Sequence, residues 1–467
     1  MPTKKQLEKA LLHVQGSPEH RFLLIHLDVP VTSSWELISV KQQPQVIWRD
    51  GSNDQILIGY GKAWTHTIES NSTFADAKIV SQKLFAQIYQ MGDTTLGPIL
   101  FAGFSFQPNG ESLRDDWQNW PRNQLILPRV FIEHNASSPQ ATFSFFFDTN
   151  ISTSAEDILQ AMSQSLQQKE LQGTNQTSLV KNNNPIHLTM QVLDRKENWE
   201  KKIEDIKENI QSGNLHKVVT ARAALFAAEK EHGFSTRLSF LQLCLQNPNC
   251  YSFVFGPHQD QSFIGASPET LVRYVDGEVQ TQALAGTIPR STNPQIDKQR
   301  KNQLLQSTKN RTEQGYVVNA IYESLRTVCT DVQVEREPHI LALPRLFHLN
   351  TSISGYAEKQ THILDLVSLL HPTPALGGWP SQQAQQWLAK NETLERGWYG
   401  GPIGWFDGEG NGVFCVAIRS ALIGDNTALA YGGAGIVEAS NADSEWLETE
   451  LKFKTITEAL HGKEEQK

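Results

Sequence analysis

Hydrophobic and polar positions divide the first third of the chain into strand-like and helix-like stretches. Apolar runs rich in β-branched and aromatic residues predict strands at 22–27, 55–60, 99–104, 130–133 and 142–147. Apolar residues at helical spacing predict helices at 71–91 and 154–167. These stretches hold no recognisable catalytic constellation. We therefore interpret residues 1–165 as a β-rich region that packs into the same fold as the remainder.

The second half begins with a helix and then returns to strands. Trp199, Ile203 and Ile206 recur at helical spacing, and Gly213 ends that helix. Strand-like runs follow at 216–225, 251–255, 262–266, 279–284, 413–419 and 428–431, and an interrupted helix lies among them at 298–328. Because the strands do not alternate strictly with helices, this order predicts an α+β fold with mostly antiparallel sheets.

Composition and charge narrow the class of protein. The chain has 467 residues, of which 39% are hydrophobic and 19% charged, as is typical of globular proteins. A formal charge of −9 argues against nucleic-acid or membrane-surface binding, which usually needs a basic face. The four cysteines form neither metal-ligand pairs nor a dense disulfide framework, and the N-terminus lacks the apolar core of a signal peptide. We therefore predict a cytoplasmic protein with no membrane or nucleic-acid partner.

The glycine-rich stretch 431–437 (YGGAGIV) is the first candidate for a binding site. Three glycines within four residues predict a tight turn whose backbone N–H groups can approach an anion. A helix is predicted at 446–460, and helical spacing places Glu445, Glu448 and Lys452 on one face. The apolar positions of that helix are Leu447, Leu451 and Ile456. The segment could hold a carboxylate directly and through a divalent metal, although an ordinary β-turn before a solvated helix gives the same pattern.

Lys217 and Glu269 are candidates for proton transfer. Lys217 is followed by Val218 and Val219, and a lysine that loses hydration beside apolar side chains can accept a proton near neutral pH. Glu269 lies at the end of a predicted strand, where a partly buried carboxyl can stay protonated and act as an acid. Each residue also has an ordinary interpretation, as an exposed lysine at a strand end and as a carboxylate in a turn.

Glu313 and Glu448, each on a predicted helix, are candidates for binding Mg²⁺. This ion binds through one or two protein carboxylates and completes its octahedron with ligand oxygens and water. Arg419 ends an apolar strand, where its guanidinium can bind a carboxylate through two hydrogen bonds. Surface charge would equally explain the two glutamates, a salt bridge would explain Arg419, and a structural role would explain His348.

Eight segments of the second half form one consistent series. They are 217–222 (KVVTAR), 265–271 (GASPETL), 283–287 (ALAGT), 310–313 (NRTE), 370–378 (LHPTPALGG), 398–404 (WYGGPIG), 431–438 (YGGAGIVE) and 445–452 (EWLETELK). Together they resemble the chorismate-utilising enzymes, and among these most closely the isochorismate synthases of the menaquinone pathway. The resemblance identifies residues 190–467 as a chorismate-binding catalytic region. It implies one interwoven fold with a β-sandwich core, outer helices and a site in a cleft between the layers.

The resemblance also implies a role for each candidate residue. Lys217 would be the base that activates water for attack at C2 of the ring, and Glu269 the acid that protonates the departing C4 hydroxyl. Glu313 and Glu448, with Glu445 beside them, would hold Mg²⁺ and through it the ring carboxylate. The remaining residues would bind the substrate carboxylates or line the cleft wall. They are Arg419, Gly433, Ala434, Gly435, Lys452, Ala285, Gly286, Thr287 and His348.

Ala285 distinguishes between members of this family. Aminodeoxychorismate synthases carry a nucleophilic lysine at its position, and anthranilate synthases generally lack a lysine at the position of Lys217 and take ammonia from a glutaminase partner. The resemblance therefore favours water as the nucleophile. We predict a Mg²⁺-dependent isomerase that converts chorismate to isochorismate as a monomer without a glutaminase subunit. A salicylate synthase is the alternative, followed by an anthranilate synthase component and a non-catalytic chorismate-binding protein.

Overall fold

In a computed structural model, the chain folds into two β-sheets with helices outside them. The described residues are 1–38, 44–69, 73–92, 97–107, 117–151, 154–170, 188–228, 233–256 and 260–460. Within them the helices are α1 Lys4–Gln15, α2 Thr73–Phe85, α3 Ala155–Glu170, α4 Lys196–Gln211, α5 Thr236–Gln246, α6 Pro294–Gln306, α7 Thr308–Leu325, α8 Ile363–Leu370, α9 Ser381–Asn391 and α10 Ala442–Thr457, with a short 3₁₀ helix at Ser34–Leu37.

The described strands range from 2 to 12 residues in length. The first ten are β1 Phe22–Pro30, β2 Val46–Asp50, β3 Gln55–Tyr60, β4 Trp64–Thr67, β5 Ile88–Met91, β6 Ile99–Phe104, β7 Asn123–Leu127, β8 Val130–Asn135, β9 Gln140–Asp148 and β10 Leu188–Val192. The others are β11 Lys217–Ala228, β12 Tyr251–Phe255, β13 Ser262–Ser267, β14 Thr270–Val275, β15 Glu278–Pro289, β16 Cys329–Val334, β17 His339–Ala342, β18 Leu346–Ala357, β19 Gly378–Trp379, β20 Pro402–Asp407, β21 Gly412–Val416, β22 Ser420–Ile423 and β23 Thr427–Ile436.

Two sheets take up these strands. In the described residues the larger sheet has 13 strands in the order β10-β11-β23-β22-β13-β12-β2-β3-β8-β9-β1-β5, with β19 paired to β11. The smaller sheet has 10 strands in the order β16-β18-β15-β14-β21-β20-β6-β7-β4, with β17 paired to β18. The pairs between described strands are antiparallel except for β1 with β5. The predicted α+β class with mostly antiparallel sheets is therefore confirmed.

Strands from the first third of the chain complete both sheets. In the larger sheet β2 pairs with β12, where Trp48 lies opposite Phe253. In the smaller sheet β6 pairs with β20, where Phe101 lies opposite Trp405. All four side chains belong to one hydrophobic core that draws on both sheets. The two halves of the chain are therefore interwoven, and burial of this core stabilises them together.

A second hydrophobic cluster covers the other face of the larger sheet. It joins Leu7 of α1, Ile158 of α3 and Leu238 of α5 to sheet residues such as Ile25. The smaller sheet faces α7 and α8, and apolar residues of both helices, such as Val317 and Leu364, lie in the first core. The larger sheet is thus buried on both faces. A cleft can form in the layer between the two sheets.

The local predictions identified several helices correctly but were less accurate for their boundaries, since the helix predicted at 446–460 is observed at Ala442–Thr457. The helix predicted from Trp199, Ile203 and Ile206 is α4, and these three residues are buried as expected. The helix predicted at 71–91 ends at Phe85, and residues 88–91 form β5, because they pair with β1. Residues 71 and 72 lie outside the described ranges. No described helix is long and apolar enough to span a membrane.

Candidate active site

Residues 431–436 of the glycine-rich stretch form a strand and not the tight turn that the sequence predicts. They belong to β23, which pairs with β11 so that Gly435 lies opposite Val219. Glycine leaves room here for two side chains, because a Cβ atom at Gly435 would displace the carboxylate of Glu313 and Cε of Lys217. The glycine pattern predicted a turn because it contains no information about pairing with β11.

Helix α10 turns a charged face toward the sheets. Its N-cap is Asn441, whose side chain accepts a hydrogen bond from the backbone N–H of Ser444. The buried residues of the helix are Glu445, Thr449, Lys452, Phe453 and Ile456. Leu447, which the sequence pattern assigns to the apolar side, is 62% exposed, so that assignment is wrong. The pattern failed because ion pairs compensate for the burial of charge on this helix.

Two carboxylates on α10, that of the buried Glu445 and that of the partly exposed Glu448, are paired with lysines. Oε1 of Glu445 lies 2.7 Å from Nζ of Lys309 on α7. Oε1 of Glu448 lies 2.6 Å from Nζ of Lys452, which also donates a hydrogen bond of 2.5 Å to the carbonyl oxygen of Gly433. Because the N–H and C=O of one strand residue point to the same edge, the amide of Gly433 faces the same edge as this carbonyl.

A third buried ion pair links β11 to α7. Nζ of Lys217 lies 3.0 Å from Oε1 of Glu313, and the two side chains are 1% and 12% exposed. Water therefore solvates neither charge well. Each charge depends on the other for compensation, because a buried charge that loses its partner is strongly destabilising.

The carboxylates of this region act on one another. Burial is the main cause that raises the pKa of Glu445 to about 7. The charges of Glu448 and Glu313 add to this effect, while Lys309 opposes it. Burial also acts to raise the pKa of Glu448, but positive side chains led by Lys452 outweigh it and hold this pKa below its ordinary value. Glu445 therefore holds a proton more readily than Glu448 does.

The donor chemistry of this cluster fits Mg²⁺, a hard cation that prefers carboxylate oxygens. Each of the three glutamates is bonded to its own lysine in the structure. Within the described part of the chain, no group of three or more His, Cys, Asp and Glu side chains is arranged to hold a metal ion. An ion that binds Glu445 would have to displace the ammonium of Lys309, whose side chain is 32% exposed.

Glu269 lies between β13 and β14, 3% exposed. Burial raises the pKa of its carboxyl to about 7. The positive charges of Lys217, Arg419 and Lys452 act in the opposite direction, in that order of size. A substantial fraction of Glu269 is therefore protonated at neutral pH and can donate a proton.

Arg419 and His348 form a buried pair beside this acid. Nη2 of Arg419 lies 3.1 Å from Nε2 of His348, and Oγ1 of Thr287 lies 3.1 Å from Nδ1 of the same ring. Burial, followed by the charges of Arg419 and Lys452, lowers the pKa of His348 well below its ordinary value, so the ring is neutral. Because Arg419 donates to Nε2, the ring proton lies on Nδ1 and is donated to Thr287.

A β-bulge shapes the wall that carries Thr287. The register between β15 and β18 shifts between Ala285 and Thr287. Gly286 has φ +72°, and an added Cβ would lie 2.9 Å from Cβ of Asn310 on α7. A side chain at this position would therefore be strained and crowded, which explains why glycine occurs here.

The sequence reasoning missed two residues of the site. Lys309 lies one helical turn before Glu313 on α7, so helical spacing alone could have indicated it. Tyr399 lies within the quoted segment 398–404, and its hydroxyl would be 2.9 Å from a Cβ added at Gly433. Burial raises the pKa of Tyr399 to about 12, so its hydroxyl stays protonated and can donate a hydrogen bond.

The structure gathers the predicted residues into one buried region. The positive charges of Lys217, Arg419 and Lys452 all lie close enough to Glu269 to lower the pKa of its carboxyl. Ala434 differs from the others, because its side chain belongs to the hydrophobic core and its backbone alone remains for a ligand. The region thus combines a proton donor, a buried ammonium, a guanidinium and a carboxylate cluster, a combination suited to acid–base chemistry on an anionic molecule.

Comparisons with known proteins agree on one family. A family model described as "Chorismate binding enzyme" matches residues 9–461. Isochorismate synthase MenF of Bacillus subtilis is 31% identical over 424 residues, which make up 89% of this chain and 87% of that protein. The solved structure of the menaquinone-specific isochorismate synthase MenF from Escherichia coli superposes with a TM-score of 0.72 at 24% identity, covering 97% of this chain and 99% of that one.

An anthranilate synthase has a similar fold. The solved structure of anthranilate synthase component I from Streptococcus pneumoniae superposes with a TM-score of 0.69 at 19% identity, covering 94% of this chain and 93% of that one. The fold alone therefore does not distinguish the two activities, and the side chains of the site have to do so.

Proposed function

The chain belongs to the chorismate-binding enzyme family, and on this basis we propose that it is an isochorismate synthase. In the proposed reaction, water adds at C2 of chorismate, the ring double bonds shift, and the C4 hydroxyl leaves. Water enters and water leaves, so the product is an isomer of the substrate. Support comes from the identity of 31% over 89% of this chain with an isochorismate synthase, and from Lys217 together with Ala285 in the site.

Lys217 and Glu269 divide the proton transfers between them in this proposal. Lys217 takes a proton from the attacking water, and Glu269 donates a proton to the C4 oxygen as the carbon–oxygen bond breaks. The observation that carries this assignment is the burial of Glu269, 3% exposed, near the charge of Lys217, and this burial raises the pKa of Glu269 to about 7. General acid–base catalysis of this kind is typically worth about 10²–10⁴-fold in rate.

Charge complementarity supports binding of a dianion. We propose that Arg419, Lys452 and the amides of Gly433 and Gly435 bind the substrate carboxylates. Neutral His348 orients Arg419 and adds no charge of its own. The remaining cleft wall is Ala285, Gly286 and Thr287. Positive groups concentrated in this way can hold an anion in a chain whose formal net charge is −9.

The carboxylate cluster is the proposed site of Mg²⁺. Glu313 and Glu448, with Glu445 beside them, would hold the ion in place of their lysine partners. When bound, Mg²⁺ supplies positive charge that balances these acids and attracts the ring carboxylate of the substrate. Lys217 is in contact with Glu313, so the proposed base and the proposed ion site are direct neighbours.

Product analysis tests the proposal. Purified protein is incubated with chorismate and Mg²⁺, with and without a chelator, and the products are separated by chromatography. We expect isochorismate, and we expect the chelator to abolish its formation. Salicylate with pyruvate as the main products would instead identify a salicylate synthase, and anthranilate formed with ammonia would identify the other branch.

We further propose that the enzyme acts as a cytoplasmic monomer, without a glutaminase subunit, and supplies menaquinone synthesis. Water as nucleophile removes the need for an ammonia donor. Light scattering on the purified protein tests the oligomeric state. Rescue of a menaquinone-deficient strain that lacks isochorismate synthase tests the pathway, and rescue of siderophore production alone would contradict it.

A further inference from the structure

A cavity of about 340 Å³ lies next to the catalytic region. Arg419 lines it together with Arg345 and Leu346 at the start of β18, Cys250 at the start of β12, and Glu458 at the end of α10. The volume is within the range of about 300–1,000 Å³ that small-molecule sites occupy. Because Arg419 also contacts His348, this cavity adjoins the site from which the chemistry is proposed.

The two arginines of the cavity differ in exposure. Arg419 is 6% exposed, whereas the side chain of Arg345 is 41% exposed. The cavity therefore has one guanidinium at its solvent end and another at its buried end. A molecule with two carboxylates can contact the first while it approaches the second.

The partner of Arg345 is replaceable. Nε of Arg345 donates a hydrogen bond of 3.0 Å to Oε2 of Glu458, and Nη2 contacts the same oxygen. Glu458 is the C-cap of α10, where the helix dipole disfavours a carboxylate. Its side chain is 39% exposed, and exposed ion pairs contribute little stability. A carboxylate that arrives from solvent can take its place on Arg345.

We infer that this cavity is the docking site through which the dicarboxylate substrate enters. Arg345 captures one carboxylate by displacing Glu458, and the molecule then moves inward to Arg419. This inference rests on the proposed function for the identity of the ligand. A local cation is useful for capture because the whole chain carries a formal charge of −9, which repels a dianion at long range.

The test compares the variants R345Q and E458Q with the control R326Q. Arg326 belongs to an exposed pair with Glu323 at the end of α7, so R326Q removes the same charge elsewhere on the surface. The readouts are the association rate constant of chorismate, measured by stopped-flow tryptophan fluorescence, and kcat/KM, each at low and high salt. Thermal unfolding checks that all variants are folded.

Charges at the rim of a binding site act mainly on the association rate. We expect R345Q to lower the association rate constant and kcat/KM about three- to tenfold, to leave kcat within about twofold, and to weaken the salt dependence. E458Q should raise the association rate constant, and R326Q should match the wild type. Equal behaviour of R345Q and R326Q, or a decrease in E458Q like that in R345Q, would overturn the inference. If the wild type forms no isochorismate, the proposed function fails, while the association rates still test the docking site.

Discussion

Nζ of Lys217 lies 3.0 Å from Oε1 of Glu313, so the proposed base is bonded to a proposed metal ligand. Both side chains are buried, and the absent side chain of Gly435 leaves the space in which they meet. The two roles are therefore coupled. Whatever binds Glu313 also decides whether the amine of Lys217 is free to take part in proton transfer.

Lys217→Ala is expected to abolish turnover while chorismate binding changes less than about threefold, because the lysine acts on water and not on the substrate carboxylates. It should also lower the free energy of unfolding by about 3–5 kcal/mol, since Glu313 loses its partner. Turnover, isothermal titration calorimetry and chemical unfolding measure the three quantities. The double variant Lys217→Ala/Glu313→Ala serves as the control, which should recover stability but not activity. A wild-type rate in either variant would refute the base assignment.

Gly435→Ala is expected to destroy activity, because the added Cβ would collide with the carboxylate of Glu313 and with Cε of Lys217. Overpacking of this kind typically costs about 1–3 kcal/mol of stability. The matched control is Gly424→Ala, where the nearest atom to an added Cβ is Oγ1 of Thr427 at 3.6 Å. Steady-state kinetics and thermal unfolding compare the two variants, and equal activity would contradict the close packing described here.

Glu269→Gln should lower kcat by about 10²–10⁴-fold, because the amide cannot donate a proton to the leaving oxygen. In the wild type, the acid form of Glu269 is lost as the pH rises through about 7, so kcat should fall above that pH. The variant should lose this limb of the pH profile. Residual activity of the variant with an unchanged limb would assign the titration to another group.

The same pKa has a consequence for stability. The carboxyl of Glu269 titrates near 4.5 when unfolded and at about 7 when folded, so the native state holds the proton more tightly between these values. Raising the pH across that window should therefore destabilise the native state, and Glu269→Gln should remove this contribution. Urea unfolding at several pH values measures the difference. Parallel pH profiles of wild type and variant would contradict the raised pKa.

Binding of divalent metal should respond oppositely to two substitutions. Glu448→Gln removes a proposed ligand and should weaken binding at least about tenfold, whereas Lys309→Gln removes the cation that competes for Glu445 and should strengthen it severalfold. Lys301→Gln, an exposed position on α6, is the control. Electron paramagnetic resonance of Mn²⁺ measures binding without reference to activity. Weaker binding in Lys309→Gln would show that Glu445 is not a ligand.

Local periodicity predicted several of the described helices and 11 of the 23 described strands, because each amphipathic face repeats within a few residues. The burial of Trp199 and Ile203 on α4 is an example. The pairing of strands with one another was not predictable in this way. The pairing of β2 with β12 joins residues far apart in the chain, and no local pattern contains that register.

In the candidate site, too, local features were predictable and long-range contacts were not. Residue types and spacing indicated Lys217, Glu269 and Glu313 as chemically suitable groups. The ion pair between Lys217 and Glu313 could not be predicted, because it depends on how β11 and α7 come together in the folded chain. Leu447 was assigned to the buried side of α10 because apolar residues usually occupy that side, whereas here ion pairs allow Glu445 and Lys452 to be buried instead.

The origin of the new hydroxyl group tests the central claim most directly. The reaction is run with chorismate in water enriched in ¹⁸O, and the isolated product is analysed by mass spectrometry. If water attacks C2 while the C4 hydroxyl leaves, each isochorismate formed in a single conversion carries one ¹⁸O atom at C2. Unlabelled isochorismate would show that the hydroxyl moves within the molecule, and an absence of isochorismate would contradict the account altogether.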